Sequence, residues 1–215
     1  MIKLVCFGDS ICFGQFVSPH AIWMNKLSAT LSEQFGSLRL QNPSISGNTT
    51  RMALERMAYD VQAHGIDVFY TQFGMNDCNY WATDNGNPRV SAGAYRANLK
   101  EILARARASG AKVLMIGTNH PTPKITPYPY ANCSYQESNA YYNTIIRETA
   151  AEEEITLIDH EAFWNKQVAH GTLKDYLLED EIHLSLKGHD LYYTYTAPLF
   201  EQAIHAYHAL KIKVA

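Results

Sequence analysis

The chain has 215 residues, 47% hydrophobic and 18% charged. That composition excludes an intrinsically disordered chain and predicts one domain over residues 1–215. With 18 Lys and Arg against 21 Asp and Glu, the formal net charge is −3. A nucleic-acid partner is therefore not expected, since such binding needs a strongly basic face. No apolar run approaches the roughly 20 residues of a membrane helix. The opening MIKLVCFGDS is interrupted by Gly8-Asp9-Ser10 too early for a secretory leader, so the expected location is cytoplasmic.

Strand and helix patterns alternate along the chain. Residues 2–7 form a short apolar run that predicts a buried strand. Between 20 and 35, Trp23, Leu27, Leu31 and Phe35 recur every four residues, one face of a helix. Strands are predicted at 37–42 and 66–73, with a helix over 49–63 between them. A Gly/Asn/Asp-rich loop spans 74–90. Tyr95, Leu99, Ile102, Leu103 and Ala106 then mark a helix that stops at Ser109-Gly110. A fourth strand is predicted at 111–118, and a loop follows with Pro121, Pro123, Pro127 and Pro129. A helix over 136–153, a fifth strand over 155–159 and a last helix over 186–211 complete the series; Pro198 is a candidate kink. Five such units in a row predict a parallel sheet with helices on both faces.

In an open parallel sheet, ligands bind beyond the carboxyl ends of the strands. The loops there carry Gly8-Asp9-Ser10, the stretch 42–48, Gly74-Met75-Asn76-Asp77, and Asn119-His120. Asp180-Glu181-Ile182-His183 precedes the last helix. A serine, a histidine, a carboxylate and several amide donors are the inventory of acyl-transfer chemistry. A serine hydroxyl needs an adjacent base, and histidine titrates near neutrality. A carboxylate three residues earlier can fix its tautomer. Charge on a reacting carbonyl oxygen needs preorganised donors.

The blocks FGDSICFG, SGNTT, GMND and DEIHLS, with GH following, occur in the order seen in the SGNH, or GDSL, hydrolase superfamily, which the chain resembles over nearly its whole length. The resemblance implies a three-layer α/β/α, flavodoxin-like fold with a five-stranded parallel sheet. It implies Ser10 as nucleophile, His183 as general base and then acid, and Asp180 as the residue that orients His183. The Ser10 and Gly47 backbone N–H groups and the Asn76 amide would form the oxyanion hole. The family often has a small residue after the aspartate, where this chain has Glu181. GxSxG is absent, which disfavours the nucleophile-elbow fold.

Other residues have plainer readings. Asp9 orders its turn, Asp77 is loop structure, and Ser185 is a candidate N-cap for the last helix, which His189 supports. His20, His64, His160, His170, His205 and His208 are expected at the surface or at helix ends. His120, Tyr80 and Trp81 are candidate substrate contacts, and Tyr128, Tyr130 and Tyr135 either wall a cleft or close over the core. The four cysteines form no CxxC pair, and no histidines stand at ligand spacing, so no metal or other cofactor is expected.

The leading expectation is a serine esterase acting on a small acyl ester, with an O-acetylated carbohydrate preferred. A lysophospholipid, an acyl thioester or acyl transfer to another alcohol would use the same site. A non-catalytic carbohydrate-binding protein on this fold is a separate class, as is a flavin binder. Against the last, Gly8-Asp9-Ser10 puts a carboxylate where phosphate would sit.

Overall fold

The computed structural model of the chain describes residues 1–168 and 172–214. Five strands, β1 (Ile2–Gly8), β2 (Leu38–Gln41), β3 (Val68–Gln72), β4 (Val113–Gly117) and β5 (Thr156–Ile158), form one sheet in the order β2-β1-β3-β4-β5. Every pairing is parallel. This is the flavodoxin-like order, and it reverses between β1 and β3. All five strands arise where expected, each within two residues of the predicted bounds.

Alternation across the pleat separates two cores. Leu4 and Cys6 of β1 face a core shared with Trp23 and Leu27, Trp164, and Tyr192 and Phe200. Those residues lie on α2 (Trp23–Phe35), α6 (His160–Val168) and α7 (Leu186–Val214) respectively. Val5 and Phe7 face the opposite side, against Met57 of α3 (Thr50–Asp60) and Ile102 of α4 (Ala92–Ala108). Tyr95 of α4 and Ile146 of α5 (Tyr135–Glu152) extend that layer. The result is three layers, as the alternating pattern predicts. Among the described residues, no helix is long and apolar enough to cross a membrane.

Local chemistry sets the helix starts. α5 carries a capping box: Ser134 Oγ accepts from the Glu137 N–H, and Glu137 Oε2 accepts from the Ser134 N–H. α2 begins at Trp23, after a 3₁₀ turn at Pro19–Ala21. There the Trp23 N–H donates to Nδ1 of His189 at 3.3 Å. His189 thus fastens α7 to α2, and Ser185 Oγ accepts from the Gly188 N–H. α7 continues through Pro198.

Two α-helices lie outside the sequence expectation. Ser10–Phe13 forms a one-turn helix, α1, and α6 follows β5 without a loop. His160 heads α6 but is not a surface residue. It is fully buried, stacked on Tyr192 at 4.1 Å, with Nε2 3.2 Å from the Tyr70 hydroxyl. His20 lies within one 3₁₀ turn, His64 ends another, and His205 packs against Phe35. His170 lies outside the described residues. Cys6, Cys12 and Cys78 are buried free thiols, and Cys133 is half-buried. Burial pushes the first three well above the usual thiol range.

Candidate active site

Three loops at the carboxyl ends of β1, β2 and β3 meet at the reversal of strand order. Ser10 opens α1, only 5% exposed. Asp9 caps that turn, Oδ1 accepting from the Ile11 N–H at 3.0 Å. The side-chain amide of Asn76 donates to the Asn48 carbonyl at 3.1 Å and lies 3.4 Å from Asp9 Oδ2. Asp77 accepts from both the backbone N–H and the hydroxyl of Thr50, at 2.9 and 2.5 Å, and so holds the start of α3. Arg56 donates to Asn48 Oδ1 and to the Pro43 carbonyl, bracing the loop between β2 and α3.

Gly47 has φ of +79°, and a Cβ built there would meet nothing within 4 Å. Backbone conformation, rather than space, is what calls for glycine at this position.

Burial raises the carboxyls of this region. Desolvation pushes Asp9 up to about 7, opposed by the Ile11 N–H bond and reinforced by the charge of Asp77. Asp77 is pushed up to about 6, opposed by its bonds from Thr50 and by the charge of Arg89.

Arg89 is the residue that reading the sequence missed. Its guanidinium donates to Asn76 Oδ1 and to the Gly47 carbonyl, both at 3.3 Å, and lies 4.4 Å over the Trp81 ring. One cation thus touches two of the three loops that carry the candidate oxyanion donors. Backbone bonds from the Arg89 N–H to the Asn79 carbonyl and from the Val90 N–H to the Asp77 carbonyl fold the loop back to place it there. The available signal was that Arg89 is the only Lys or Arg between 74 and 90.

Asp180 and His183 share one tight loop. The Glu181 N–H bonds to the Leu178 carbonyl, and the Leu178 N–H to the His183 carbonyl. Asp180 Oδ1 accepts from the Ile182 and His183 N–H groups at 3.0 and 2.9 Å, and Oδ2 meets His183 Nδ1 at 2.5 Å. Burial would raise Asp180, but these bonds outweigh it and hold the carboxyl below its ordinary range. Among the described residues, no hydrogen bond joins Ser10 Oγ to His183. One contact between the two regions comes from Phe16, whose ring meets the His183 imidazole edge-on at 5.2 Å.

His120 is placed differently from the expectation of a substrate contact. It is fully buried, and both ring nitrogens are engaged, Nε2 with the Ile182 carbonyl at 2.8 Å and Nδ1 with the Tyr192 hydroxyl at 3.0 Å. Burial lowers it to about 3, so it is neutral and supports the loop that carries His183.

Tyr80 packs on Tyr128, and the Tyr128 hydroxyl donates to Asn79 Oδ1 at 2.7 Å. Tyr128 stacks on Tyr130, while Tyr135 is buried and bonded to the Met75 carbonyl. These tyrosines tie the Pro-rich loop to the loop after β3. Trp81 remains 50% exposed beneath Arg89. Among the described residues, no group of three or more His, Cys, Asp or Glu is arranged to hold a metal.

An arylesterase of Vibrio mimicus is 25% identical over 181 residues, covering 84% of this chain and 79% of its own. Esterase TesA of Pseudomonas aeruginosa is 28% identical over 118 residues, 55% of each chain. Among solved structures, an acetylxylan esterase from Geobacillus stearothermophilus superposes with a TM-score of 0.74 at 22% identity, covering 90% of this chain and 91% of that one. The sequence profile of the GDSL-like Lipase/Acylhydrolase family matches residues 6–191. That span takes in all five strands but for the first residues of β1, together with every loop of the site. The chain belongs to the GDSL-like lipase/acylhydrolase family and is a carboxylic ester hydrolase.

Proposed function

We propose that this chain is a serine esterase that removes short acyl groups, chiefly O-acetyl, from an acylated carbohydrate, through a triad of Ser10, His183 and Asp180. The observation that carries the reading is the 2.5 Å bond between Asp180 Oδ2 and His183 Nδ1. It commits Nδ1–H to the carboxylate and leaves Nε2 as the basic nitrogen.

In this reading Ser10 Oγ attacks the ester carbonyl carbon while His183 Nε2 takes its proton. The carbonyl oxygen becomes an oxyanion held by the Ser10 N–H, the Gly47 N–H and Asn76 Nδ2. Collapse breaks the bond to the alcohol oxygen, and His183 returns the proton to it. Water, activated by the same imidazole, then cleaves the acyl-Ser10 ester and releases the acid. Asn76 can turn to the oxyanion by giving up its 3.4 Å approach to Asp9 while keeping its bond to Asn48.

Short acyl groups suit the polar setting of Asn48, Asn76 and Arg89, because a long chain needs apolar surface to gain its roughly 0.8 kcal/mol per methylene. The carbohydrate alcohol draws support from the acetylxylan esterase of like fold. The four unpaired thiols support a reducing, cytoplasmic location.

The test is hydrolysis of p-nitrophenyl esters from acetyl to decanoyl by wild type and Ser10→Ala, with fluorophosphonate labelling alongside. The acetyl ester should be fastest, and Ser10→Ala should lose about 10⁴-fold or more in kcat. Labelling should occur at Ser10 alone. Undiminished turnover in Ser10→Ala would remove the nucleophile from this reading, and preference for decanoyl would remove the short acyl group.

A further inference from the structure

We infer that Phe16 is the surface on which the alcohol half of the ester rests, and that it selects alcohols presenting a flat ring over small acyclic ones. The inference builds on the proposed roles of Ser10 and His183. In the tetrahedral intermediate the oxyanion points toward Gly47 and Asn76. The leaving oxygen points toward His183 Nε2, because that atom must supply its proton. A ring packed against that imidazole is then within reach of the leaving group. That ring is Phe16, with centroids 5.2 Å apart and planes at 84°.

Stability does not account for a phenylalanine here. Its side chain is 71% exposed, and its ring joins none of the three apolar cores. Its backbone has φ of +67°, a left-handed conformation that glycine adopts freely and other residues adopt at a cost. Local strain carried by an exposed aromatic beside a candidate catalytic base is the pattern expected where binding, rather than folding, selects the residue. Other exposed apolar side chains lie on the segments that carry the candidate site residues. Phe13 lies one turn before Phe16, Ile45 stands in the Gly47 loop and Leu186 follows His183, all three exposed. The chemistry such a surface recognises is a planar ring with an apolar or C–H face, a phenol or the flank of a sugar.

The experiment compares wild type, Phe16→Gly and Phe16→Tyr on three acetates of shared acyl group: phenyl acetate, a peracetylated methyl xyloside and ethyl acetate. Acid release gives kcat/KM, which covers steps through acylation. Thermal unfolding is measured on the same samples. Phe16→Gly should lose about tenfold in kcat/KM on at least one ring ester and at most twofold on ethyl acetate. Its melting midpoint should hold or rise, because glycine relieves the backbone. Phe16→Tyr should retain the wild-type preference. The ring ester with the larger loss distinguishes a phenol from a sugar.

Equal losses on all three esters, no loss on any, or a lowered midpoint would each overturn the inference, since Phe16 would then act on His183, on nothing, or on folding. Absence of Ser10-dependent turnover on all three would sink the esterase reading itself, a result distinct from Ser10-dependent turnover that ignores Phe16.

Discussion

Ser10, Gly47 and Asn76 stand on three loops far apart in the chain, whereas Asp180 and His183 share a single turn. The first region holds together by bonds that cross between loops: Asn76 to Asn48, Asp77 to Thr50, Arg56 to Pro43, Arg89 to Gly47. Its carboxyls are buried, and desolvation raises them. The second region bonds chiefly to itself, through the three bonds that Asp180 accepts within its own loop. Its carboxyl is partly solvated and lowered. One half of the site therefore depends on the sheet being assembled, and the other on a local turn docked onto it by His120 and Lys124. The two should fail in different ways.

The largest expected effect comes from removing the charge of the local turn. Asp180→Asn keeps the size of the side chain but presents an amide to His183. We expect kcat on p-nitrophenyl acetate to fall by about 10³–10⁴-fold, with a modest fall in unfolding midpoint from loss of the stabilised carboxylate. A loss under tenfold would mean that this turn is not catalytic. On the cross-loop side, Arg89→Ala frees Asn76 Oδ1 and the Gly47 carbonyl at once. It should lower kcat by about 10–100-fold with KM changed far less, because donors to the oxyanion act in the transition state. A rise in KM alone would make Arg89 a substrate-binding residue instead.

These two predictions mark where the sequence was legible. Asp180 and His183 lie three apart, and that spacing alone brings carboxylate to imidazole once the turn forms. The loops that carry Ser10, Gly47 and Asn76 were legible through strand-end placement, and the choice of these three residues within them came from the resemblance of FGDSICFG, SGNTT and GMND to the SGNH hydrolase blocks. Arg89 was not, because its position depends on a loop that folds back through backbone bonds to Asn79 and Asp77, with no periodicity to betray it. α6 was missed for a related reason. It follows β5 directly, with no Gly or Pro between them, and its burial rests on His160 and Trp164 rather than on a repeating apolar face. The inward stacking of His160 on Tyr192 is a tertiary fact that composition would not predict.

A third test separates the regions by pH. Asp9 sits at about 7 in the folded chain against an ordinary 3.8. Between those values the folded state holds a proton that the unfolded chain has lost, so stability falls as pH rises through that window and levels off above it. Asp180 has the opposite sign: its stabilisation is present above the ordinary carboxylate range and is lost as pH falls through its lowered value. Asp9→Asn keeps an acceptor for the Ile11 N–H but cannot ionise. It should exceed wild type in stability by up to about 4 kcal/mol at pH 8, with the advantage vanishing near pH 4. Denaturant unfolding across that range is the measurement, and a gap that does not change with pH would contradict a buried, raised Asp9.

The smallest effect concerns Glu181, the larger residue where the family often has a small one. Its φ of +62° supplies the reason for that preference, and its carboxylate meets Lys174 at 2.8 Å. Glu181→Gly should raise the melting midpoint by about 1–3 °C and leave kcat/KM within twofold. A fall in midpoint would show that the exposed ion pair outweighs the backbone.

The burial of the thiols has a practical corollary. A thiolate is the species that alkylating agents capture, and Cys6, Cys12 and Cys78 are withheld from that form by the surrounding core. Maleimide chemistry should then find one position, Cys133, in the folded chain. Its carbonyl accepts from the Tyr128 N–H, on the strap that the tyrosines tie to the loop after β3. A dye there would watch that strap while ester turns over, with no engineered cysteine and no background from the others.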